Sequence, residues 1–362
     1  MLRDESVRSL RKRPIRTPEN YVLVGLRFVG KTTYLLQDSI DRGFTVISGD
    51  LVSLYGIGTN TLVKEIRKYG IKRIGFDEVH KISNRDDMLV SLYNLGLSII
   101  ATGSSLIHIL SSPDLGRRIP LVSMHTLTAL ERYYLSGGRL ISLEDPINPP
   151  EIEIGEALEI KEHAERKLIS LGGFPATLKM NYIDVKQLLR SSLERSIVSD
   201  LRGNLHEYQV LLRCIAERHS NVASCFRGEI GAKKSYRKVR EMLKNLENLR
   251  IIFPVKVGKI NHRYFTDPAY LRLFNIDDIG LALEQAVAYA FYSRGYIVER
   301  PGGREKTRID FYVRSPMGKV YKIEVKHGDE EPIYSDEVYV FYGGLEKKKK
   351  GKTRYIPRRA II

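Results

Sequence analysis

The chain has 362 residues, of which 43 % are hydrophobic, so a globally disordered chain is excluded and two or three domains are expected. Lys and Arg number 59 against 43 Asp and Glu, which gives a formal net charge of +16. This excess favours a polyanionic partner, nucleic acid before an anionic membrane, although solvated basic tails would give the same balance. The positive charge is concentrated in residues 3–16 and 347–359.

No run of about 18 apolar residues occurs, which predicts a protein without a transmembrane helix. The basic N-terminus lacks the apolar core of a secretory signal, so we expect a cytoplasmic location. The absence of Trp and the abundance of Ile, Arg, Lys and Glu are typical of a thermophile. Cys214 and Cys225 are too few for a four-ligand zinc site. We expect two buried thiols, and a disulfide is the less favoured alternative.

The first part of the chain alternates short apolar strands with helices of about a dozen residues. Strands are predicted at residues 20–25, 44–48, 72–78, 97–103 and 119–125, and helices at 31–43, 61–70 and 86–96. Such alternation predicts βαβ units and a parallel sheet, hence an α/β fold. We assign residues 18–150 to this core, after a basic N-terminal arm over residues 1–17.

The pattern changes after residue 150. Residues 151–203 indicate a helical lid, and residues 204–275 contain three helices followed by two strands, as in a winged helix. Residues 276–345 return to a small α/β module, and residues 346–362 form a basic tail. The basic stretch around Lys238 would suit DNA contacts, and equally a solvated helix face.

Residues 25–32 read Gly-Leu-Arg-Phe-Val-Gly-Lys-Thr and fit the phosphate-binding pattern G-x-x-x-x-G-K-[ST]. The predicted strand before them and the helix after them are the context that this loop requires. We expect Lys31 to reach the β- and γ-phosphates and Thr32 to ligate Mg²⁺. The ATP-binding set is Gly25, Leu26, Arg27, Phe28, Val29, Gly30, Lys31, Thr32, Thr33 and Asp77.

An acidic pair ends a later strand of the same domain. We expect Asp77 to hold Mg²⁺ and Glu78 to polarise the attacking water, a combination that favours ATP hydrolysis over a GTPase. The strand at 97–103, here called the sensor strand, leads to Thr102 and Ser104, which would orient this water or contact the γ-phosphate. Serine and threonine also end strands for reasons of turn formation alone.

Two arginines complete the catalytic candidates of the first domain. Arg117 and Arg118 precede the fifth strand and are candidates for an arginine finger that acts on a neighbouring subunit. An oligomer is therefore one expectation, and an ordinary exposed arginine pair is the other.

Together these features resemble the archaeal AAA+-like P-loop ATPases with a C-terminal winged helix and a nuclease-like domain. The resemblance spans residues 18–345 and rests on GLRFVGKT, FDEVH, ATGSS, LGRR, GGFP, YFTDPAYL and the terminal D…ExK. It implies a five-stranded parallel core of the ASCE type, with the sensor strand between the strands of the phosphate loop and of the acidic pair, and then a helical lid. No sensor-2 arginine can be assigned in the lid.

The C-terminal module looks like the PD-(D/E)xK nuclease arrangement, a restriction-endonuclease-like fold. Asp310 and Glu324 would hold a second Mg²⁺ or Mn²⁺, Lys326 would help to activate a water, and Glu284 would complete the metal shell. The alternative is a degenerate module that pairs its carboxylates with Lys326 and Arg308 and only binds partners.

The leading hypothesis is an ATP-hydrolysing, DNA-associated protein in which the nucleotide state repositions the winged helix and the nuclease-like module. The alternative is a STAND-like signalling switch with an inactive C-terminal module and protein partners. A third interpretation is a DNA-binding protein whose ATPase serves assembly only.

Overall fold

The computed structural model describes residues 7, 9–103, 113–201, 203–218, 221–231, 236–258, 260–302 and 309–362. The chain divides into two compact units, Met1–His125 and Thr126–Ile362. This division precedes the predicted boundary at residue 150, because the intervening residues bond within the second unit. Leu127 N donates to Gly173 O, and the Tyr296 hydroxyl donates to Asp145 Oδ1 at 3.1 Å.

A five-stranded sheet forms the centre of the first unit. Its strands are β1 (Tyr21–Gly25), β2 (Thr45–Ser48), β3 (Arg73–Asp77), β4 (Ser98–Gly103) and β5 (Leu121–Met124). Their order is β2-β3-β4-β1-β5, and every neighbouring pair is parallel. The predicted α/β class is confirmed, and so is the expectation that the sensor strand, β4, lies between β1 and β3.

The helices of the first unit cover this sheet. They are α1 (Lys31–Arg42), α2 (Gly49–Leu54), α3 (Thr59–Lys68), α4 (Arg85–Asn94) and α5 (Pro113–Arg118). Val24, Phe76 and Ile99 are fully buried, as expected for strands of a parallel sheet that is packed on both faces. The sequence did not predict α2.

Residues of the predicted N-terminal arm pack on the first unit. Lys12 Nζ lies 2.8 Å from Asp38 Oδ1 on α1, and the buried Tyr21 hydroxyl donates to Asp38 Oδ2 at 2.9 Å. Arg13 donates to the carbonyl oxygen of His125 at 2.8 Å. Some basic side chains at this end of the chain therefore form ion pairs and hydrogen bonds within the folded first unit.

Helices prevail in the first half of the second unit. They are α6 (Ala129–Leu135), α7 (Ile154–Glu159), α8 (Arg166–Leu171), α9 (Tyr182–Arg195), α10 (Leu205–Ala216), α11 (Val222–Ile230), α12 (Tyr236–Asn248) and, after a hairpin, α13 (Ile279–Tyr292). A π-helical turn, Ile160–Glu165, joins α7 to α8. The helices α10 to α12 occupy the positions predicted for the three helices of a winged helix.

An eight-stranded sheet follows, with the order β12-β13-β11-β10-β9-β8-β6-β7. Its strands are β6 (Ile252–Val257), β7 (Ile260–Phe265), β8 (Ile297–Arg300), β9 (Phe311–Arg314), β10 (Val320–Val325), β11 (Val338–Tyr342), β12 (Lys348–Lys350) and β13 (Thr353–Pro357). The predicted hairpin is present as β6 and β7, but β6 also pairs in parallel with β8. The regions predicted as a winged helix and as a separate α/β module therefore share one sheet.

The segment predicted as a basic tail belongs to this sheet. β13 pairs in parallel with β11, and Tyr355 is fully buried. Beyond it, Arg358 Nε lies 2.5 Å from Glu165 Oε1, and Arg359 Nε lies 3.5 Å from Glu165 Oε2. Both arginines and the glutamate are almost completely buried, so part of this basic charge compensates a buried carboxylate instead of facing solvent.

The expectation of two free thiols was wrong. Cys214 on α10 and Cys225 on α11 form a disulfide. The Cα atoms are 6.0 Å apart because α11 folds back along α10, within the range that a disulfide can bridge. None of the helices in the described part of the chain has the length and apolar character needed to cross a membrane.

Candidate active site

The phosphate-binding loop lies between β1 and α1, as predicted. Gly25 ends β1 so close to β5 that a Cβ atom there would lie 2.2 Å from Met124 O. Gly30 precedes α1 with a φ of +91°, a left-handed conformation that other residues rarely adopt. The close approach of β5 therefore requires glycine at position 25, and the left-handed backbone favours glycine at position 30.

The other residues of this loop differ in exposure. Leu26 and Val29 are buried, Arg27 and Thr33 are half-buried, and Phe28 is exposed at a φ of +64°. Leu26 and Val29 thus anchor the loop to the core, while Arg27 and Phe28 remain at its surface. The sequence motif does not distinguish these two roles.

Lys31 folds back over the loop. Its Nζ donates to Gly25 O at 2.9 Å and to Leu26 O at 2.7 Å, and the side chain is buried. Carbonyl oxygens thus satisfy the ammonium group where a bound phosphate would otherwise accept its hydrogen bonds. The positive charge is held at the N-terminus of α1, where anions bind most readily.

Asp77 is the meeting point of the polar side chains. Thr32 Oγ1 lies 3.0 Å from both carboxylate oxygens of Asp77. Thr102 Oγ1 donates to Asp77 Oδ1 at 2.6 Å and accepts from Glu78 N at 3.0 Å. Three residues that were predicted from separate strands and loops therefore meet at one edge of the sheet. A hydroxyl beside a carboxylate is the oxygen donor set that Mg²⁺ prefers.

The hydroxyl of Thr102, predicted to orient the water or to contact the γ-phosphate, bonds to protein groups. Its side chain is fully buried, and its hydroxyl is engaged by Asp77 and by the backbone of Glu78. Ser104, the other candidate on this strand end, lies outside the described residues.

Glu78 follows Asp77 in a left-handed conformation, with a φ of +54°. Burial raises the pKa of this carboxyl group above its ordinary value, the charge of Lys31 opposes the shift, and Asp77 adds to it. His80 Nδ1 lies 3.4 Å from Glu78 Oε2. A carboxylate with a raised pKa beside a lysine is suited to accept a proton from a water molecule.

Gly49 is a residue of this site that sequence reasoning missed. It begins α2, and a Cβ atom there would lie 2.4 Å from Glu78 O and 3.0 Å from Asp77 O. Next to it, Asp50 and Lys81 form an ion pair of 2.5 Å. The available signal was Ser48, an N-cap residue type, followed by Asp50 in the first turn, a pattern typical of the start of a helix.

The two arginine-finger candidates lie on α5. Arg117 is exposed, and Arg118 is half-buried and donates to Asn94 Oδ1 on α4 at 3.0 Å. Arg118 is therefore engaged within its own unit.

Asp310 and Glu324, the carboxylate pair of the second unit, lie on adjacent chain segments. Asp310 Oδ2 accepts from Val325 N at 2.7 Å, and Lys326 Nζ lies 2.5 Å from Glu324 Oε1. Burial, followed by the charge of Glu324, raises the pKa of Asp310 to about 7. Burial also raises the pKa of Glu324. The predicted strand–turn–strand thus does place the two acids together.

Glu284, on α13, is held by arginines. Its Oε2 lies 2.5 Å from Arg218 and 3.9 Å from Arg300, neither of which the sequence singled out. Among the residues that the structure describes, no group of three or more His, Cys, Asp or Glu side chains is arranged to hold a metal ion. The predicted trio of Glu284, Asp310 and Glu324 is therefore not assembled as a metal shell, and Arg308, the alternative partner, lies outside the described residues.

Part of the chain matches a known protein family, and most of it matches one relative. Residues 17–133 match the family model described as an AAA domain. An uncharacterized protein of Methanocaldococcus jannaschii is 27 % identical, over 95 % of this chain and 84 % of that protein.

Two solved structures are similar in part. A Walker-type ATPase of Pyrococcus abyssi is 17 % identical, covering 71 % of this chain and 91 % of that one, with a TM-score of 0.42. The RuvB Holliday junction branch migration motor of Thermotoga maritima is 15 % identical, covering 70 % of this chain and 87 % of that one, with a TM-score of 0.32.

Proposed function

We propose that this chain is a Mg²⁺-dependent ATPase of the AAA type that works on DNA. The observation that carries the ATPase is the convergence of Thr32 and Thr102 on Asp77, beside Lys31 and Glu78. Thr32 and Asp77 fit as holders of Mg²⁺, which supplies charge neutralisation of the phosphates. The match of residues 17–133 to the AAA domain supports the same proposal.

Each residue of the loop has a distinct part in this proposal. Lys31 exchanges the carbonyl oxygens of Gly25 and Leu26 for phosphate oxygens, since an ammonium group bonds more strongly to a charged acceptor. Glu78 orients the attacking water and accepts its proton. Thr102 holds the carboxylate of Asp77 and the backbone of Glu78 in fixed positions relative to each other.

Two substitutions with different expected results test the ATPase. Lys31→Ala should abolish ATP binding, measured by calorimetry, whereas Glu78→Gln should keep binding and lower kcat by about 10²–10⁴-fold. Lys64→Ala, an exposed lysine on α3, is the matched control and should behave as wild type. Hydrolysis by Lys31→Ala at the wild-type rate would overturn the proposal.

We propose that Arg117 is the arginine finger that acts on a neighbouring subunit, because Arg117 is exposed whereas Arg118 bonds to Asn94. Arg117→Ala should lower kcat, and mixing it with Lys31→Ala chains should restore part of the rate if the finger acts between chains. Absence of any recovery would contradict an action in trans.

The association with DNA rests on the net charge of +16 and on the carboxylate pair beside Lys326. Cleavage of DNA with Mn²⁺ or Mg²⁺ by wild type, lost in Lys326→Ala and retained in Lys349→Ala, would assign a nuclease activity to the second unit. The same assay should compare the rate of DNA cleavage with and without ATP.

One observation favours the alternative, an ATP-dependent switch with an inactive C-terminal module. Lys326 neutralises Glu324 and Arg218 neutralises Glu284, which are the pairings expected of carboxylates that serve structure. DNA binding without cleavage would make the second unit a docking module, and slow ATP turnover without stimulation by DNA would support a signalling role.

A further inference from the structure

A cluster of cationic and aromatic side chains lies beside the carboxylate pair. Arg218 follows α10, and Arg300 ends β8; we call these two residues the arginine pair. Arg300 donates to the Tyr264 hydroxyl at 2.7 Å. Arg218 lies 5.9 Å from the ring centre of Tyr264, and Arg300 lies 5.9 Å from that of Phe311. These contacts hold both guanidinium groups in place.

The arginine pair shares a single carboxylate oxygen. Glu284 Oε2 lies 2.5 Å from Arg218 and 3.9 Å from Arg300, so both guanidinium groups share one carboxylate oxygen. The side chains of Arg218 and Arg300 are 35 % and 29 % exposed, and solvent therefore reaches them. Both guanidinium groups are therefore accessible to an anion.

The charges of the arginine pair also act on a neighbouring histidine. Burial lowers the pKa of His262 on β7, and the charges of Arg300, Arg263 and Arg218 lower it further. Arg263 is itself paired with Glu247 at 3.1 Å, so the excess charge near His262 comes from the arginine pair.

Arg300 also acts on Asp310 of the carboxylate pair. The pKa of Asp310 responds first to burial and then to Glu324, with further contributions from Glu284 and Arg300. Since Glu284 and Arg300 both act on Asp310, an anion bound by the arginine pair would lie near this carboxyl group. None of these side chains belongs to the phosphate-binding loop of the first unit.

We infer that the arginine pair binds a backbone phosphate of a DNA strand, and that Glu284 occupies the pair until the phosphate displaces it. The planar guanidinium group presents paired donors that match phosphate oxygens. The three contacts with Tyr264 and Phe311 described above fix the orientation of these donors, which lowers the entropic cost of binding. This inference rests on the proposed association with DNA and assigns residues to it.

The test uses the full chain and a fluorescein-labelled single-stranded DNA, in EDTA and without ATP, so that neither hydrolysis nor cleavage intervenes. Fluorescence anisotropy at several salt concentrations should show that Arg218→Ala and Arg300→Ala each weaken binding about tenfold, with a salt slope smaller by about 0.7. Arg314→Ala, an exposed arginine on β9, is the matched control. Circular dichroism verifies that every variant is folded.

Glu284→Gln provides a second measurement with the opposite sign. Removal of the competing negative charge should tighten DNA binding, whereas a glutamate needed only for structure would leave it unchanged or weaken it. Unchanged or weaker binding by Glu284→Gln would overturn the displacement by phosphate.

The remaining outcomes separate this inference from the proposed function. If wild type binds no DNA, the association with DNA fails and this inference fails with it. If wild type binds DNA and both arginine variants bind equally well, only the inference is overturned. Displacement of the DNA by inorganic phosphate at the same phosphate concentration would identify a free-anion site and would also overturn it.

Discussion

Thr102 donates a 2.6 Å hydrogen bond to Asp77 while its hydroxyl accepts one from the backbone N–H of Glu78. One buried side chain on β4 therefore fixes both members of the acidic pair at the end of β3. The two strands are neighbours in the sheet, so the alignment of the acidic pair depends directly on strand order.

Substitution of Thr102 tests this positioning role. Thr102→Val keeps the shape but removes the hydroxyl, and it should lower kcat about 10–100-fold because Asp77 and Glu78 lose their common partner. The KM for ATP should change less than kcat, and the Mg²⁺ concentration for half-maximal activity should rise. Thr102→Ser should restore most of the rate, which a purely steric role would not predict.

Gly49→Ala should disturb the acidic pair through the backbone of Glu78. The added Cβ would meet Glu78 O at 2.4 Å, so α2 or the end of β3 must move. We expect a loss of about 1–3 kcal/mol in the free energy of unfolding, together with lower ATPase activity. Chemical denaturation and steady-state kinetics provide the two readouts.

Gly58→Ala is the control for this substitution. Gly58 precedes α3 with a φ of −68°, and a Cβ there would meet nothing within 4 Å. Equal effects of the two substitutions would contradict the steric explanation.

Asp267 should make the stability of the second unit depend on pH. Burial raises its pKa to about 6 from 3.8, although Gly173 N and Ala269 N donate to it. Because the folded state then binds the proton more tightly than the unfolded state, the contribution to stability is present in full below about pH 4 and is lost as the pH rises through 6.

The corresponding measurement compares wild type with Asp267→Asn in guanidinium unfolding. Between pH 4.5 and 7.5 the wild type should lose about 2 kcal/mol relative to the variant, since asparagine does not titrate. Parallel pH profiles for the two proteins would exclude Asp267 as the titrating group.

The disulfide predicts a response to reductant in the second unit. Cys214 and Cys225 close a short loop between α10 and α11, and such a cross-link contributes about 2–3 kcal/mol to stability. Dithiothreitol should lower the denaturation midpoint of wild type but not that of a Cys214→Ala/Cys225→Ala variant. Thiol titration of the unfolded, unreduced protein should detect no free thiol.

The proposed ATP site was predictable because its signals are local. The Gly-Lys-Thr loop follows one strand, and the two acids follow another. A parallel sheet places the carboxyl ends of both strands at the same edge, so the local patterns alone predict that these residues meet. Thr102 was predicted at the end of the sensor strand, but the partners of its hydroxyl depend on the register of β3 with β4, which no local pattern contains.

The second unit was less predictable because its contacts join distant segments. Arg358 and Glu165 form a buried ion pair although they are far apart in the chain, so the basic composition of residues 347–359 indicated a tail. Tyr355 and Ile356 were the available signal for β13, but Lys and Arg on both sides outweighed them. Likewise, the pairing of β6 with β8 is invisible in the pattern of either strand.

The position of β13 has a consequence for synthesis on the ribosome. All strands of the first sheet have been made once Met124 is translated, so that unit has its full set of partners early. The second sheet places β13 between β12 and β11, and the buried Glu165 acquires its arginines only at residues 358 and 359. The second unit therefore cannot complete its sheet or pair Glu165 until those residues leave the exit tunnel. A nascent chain stalled before them should present an open sheet edge to chaperones.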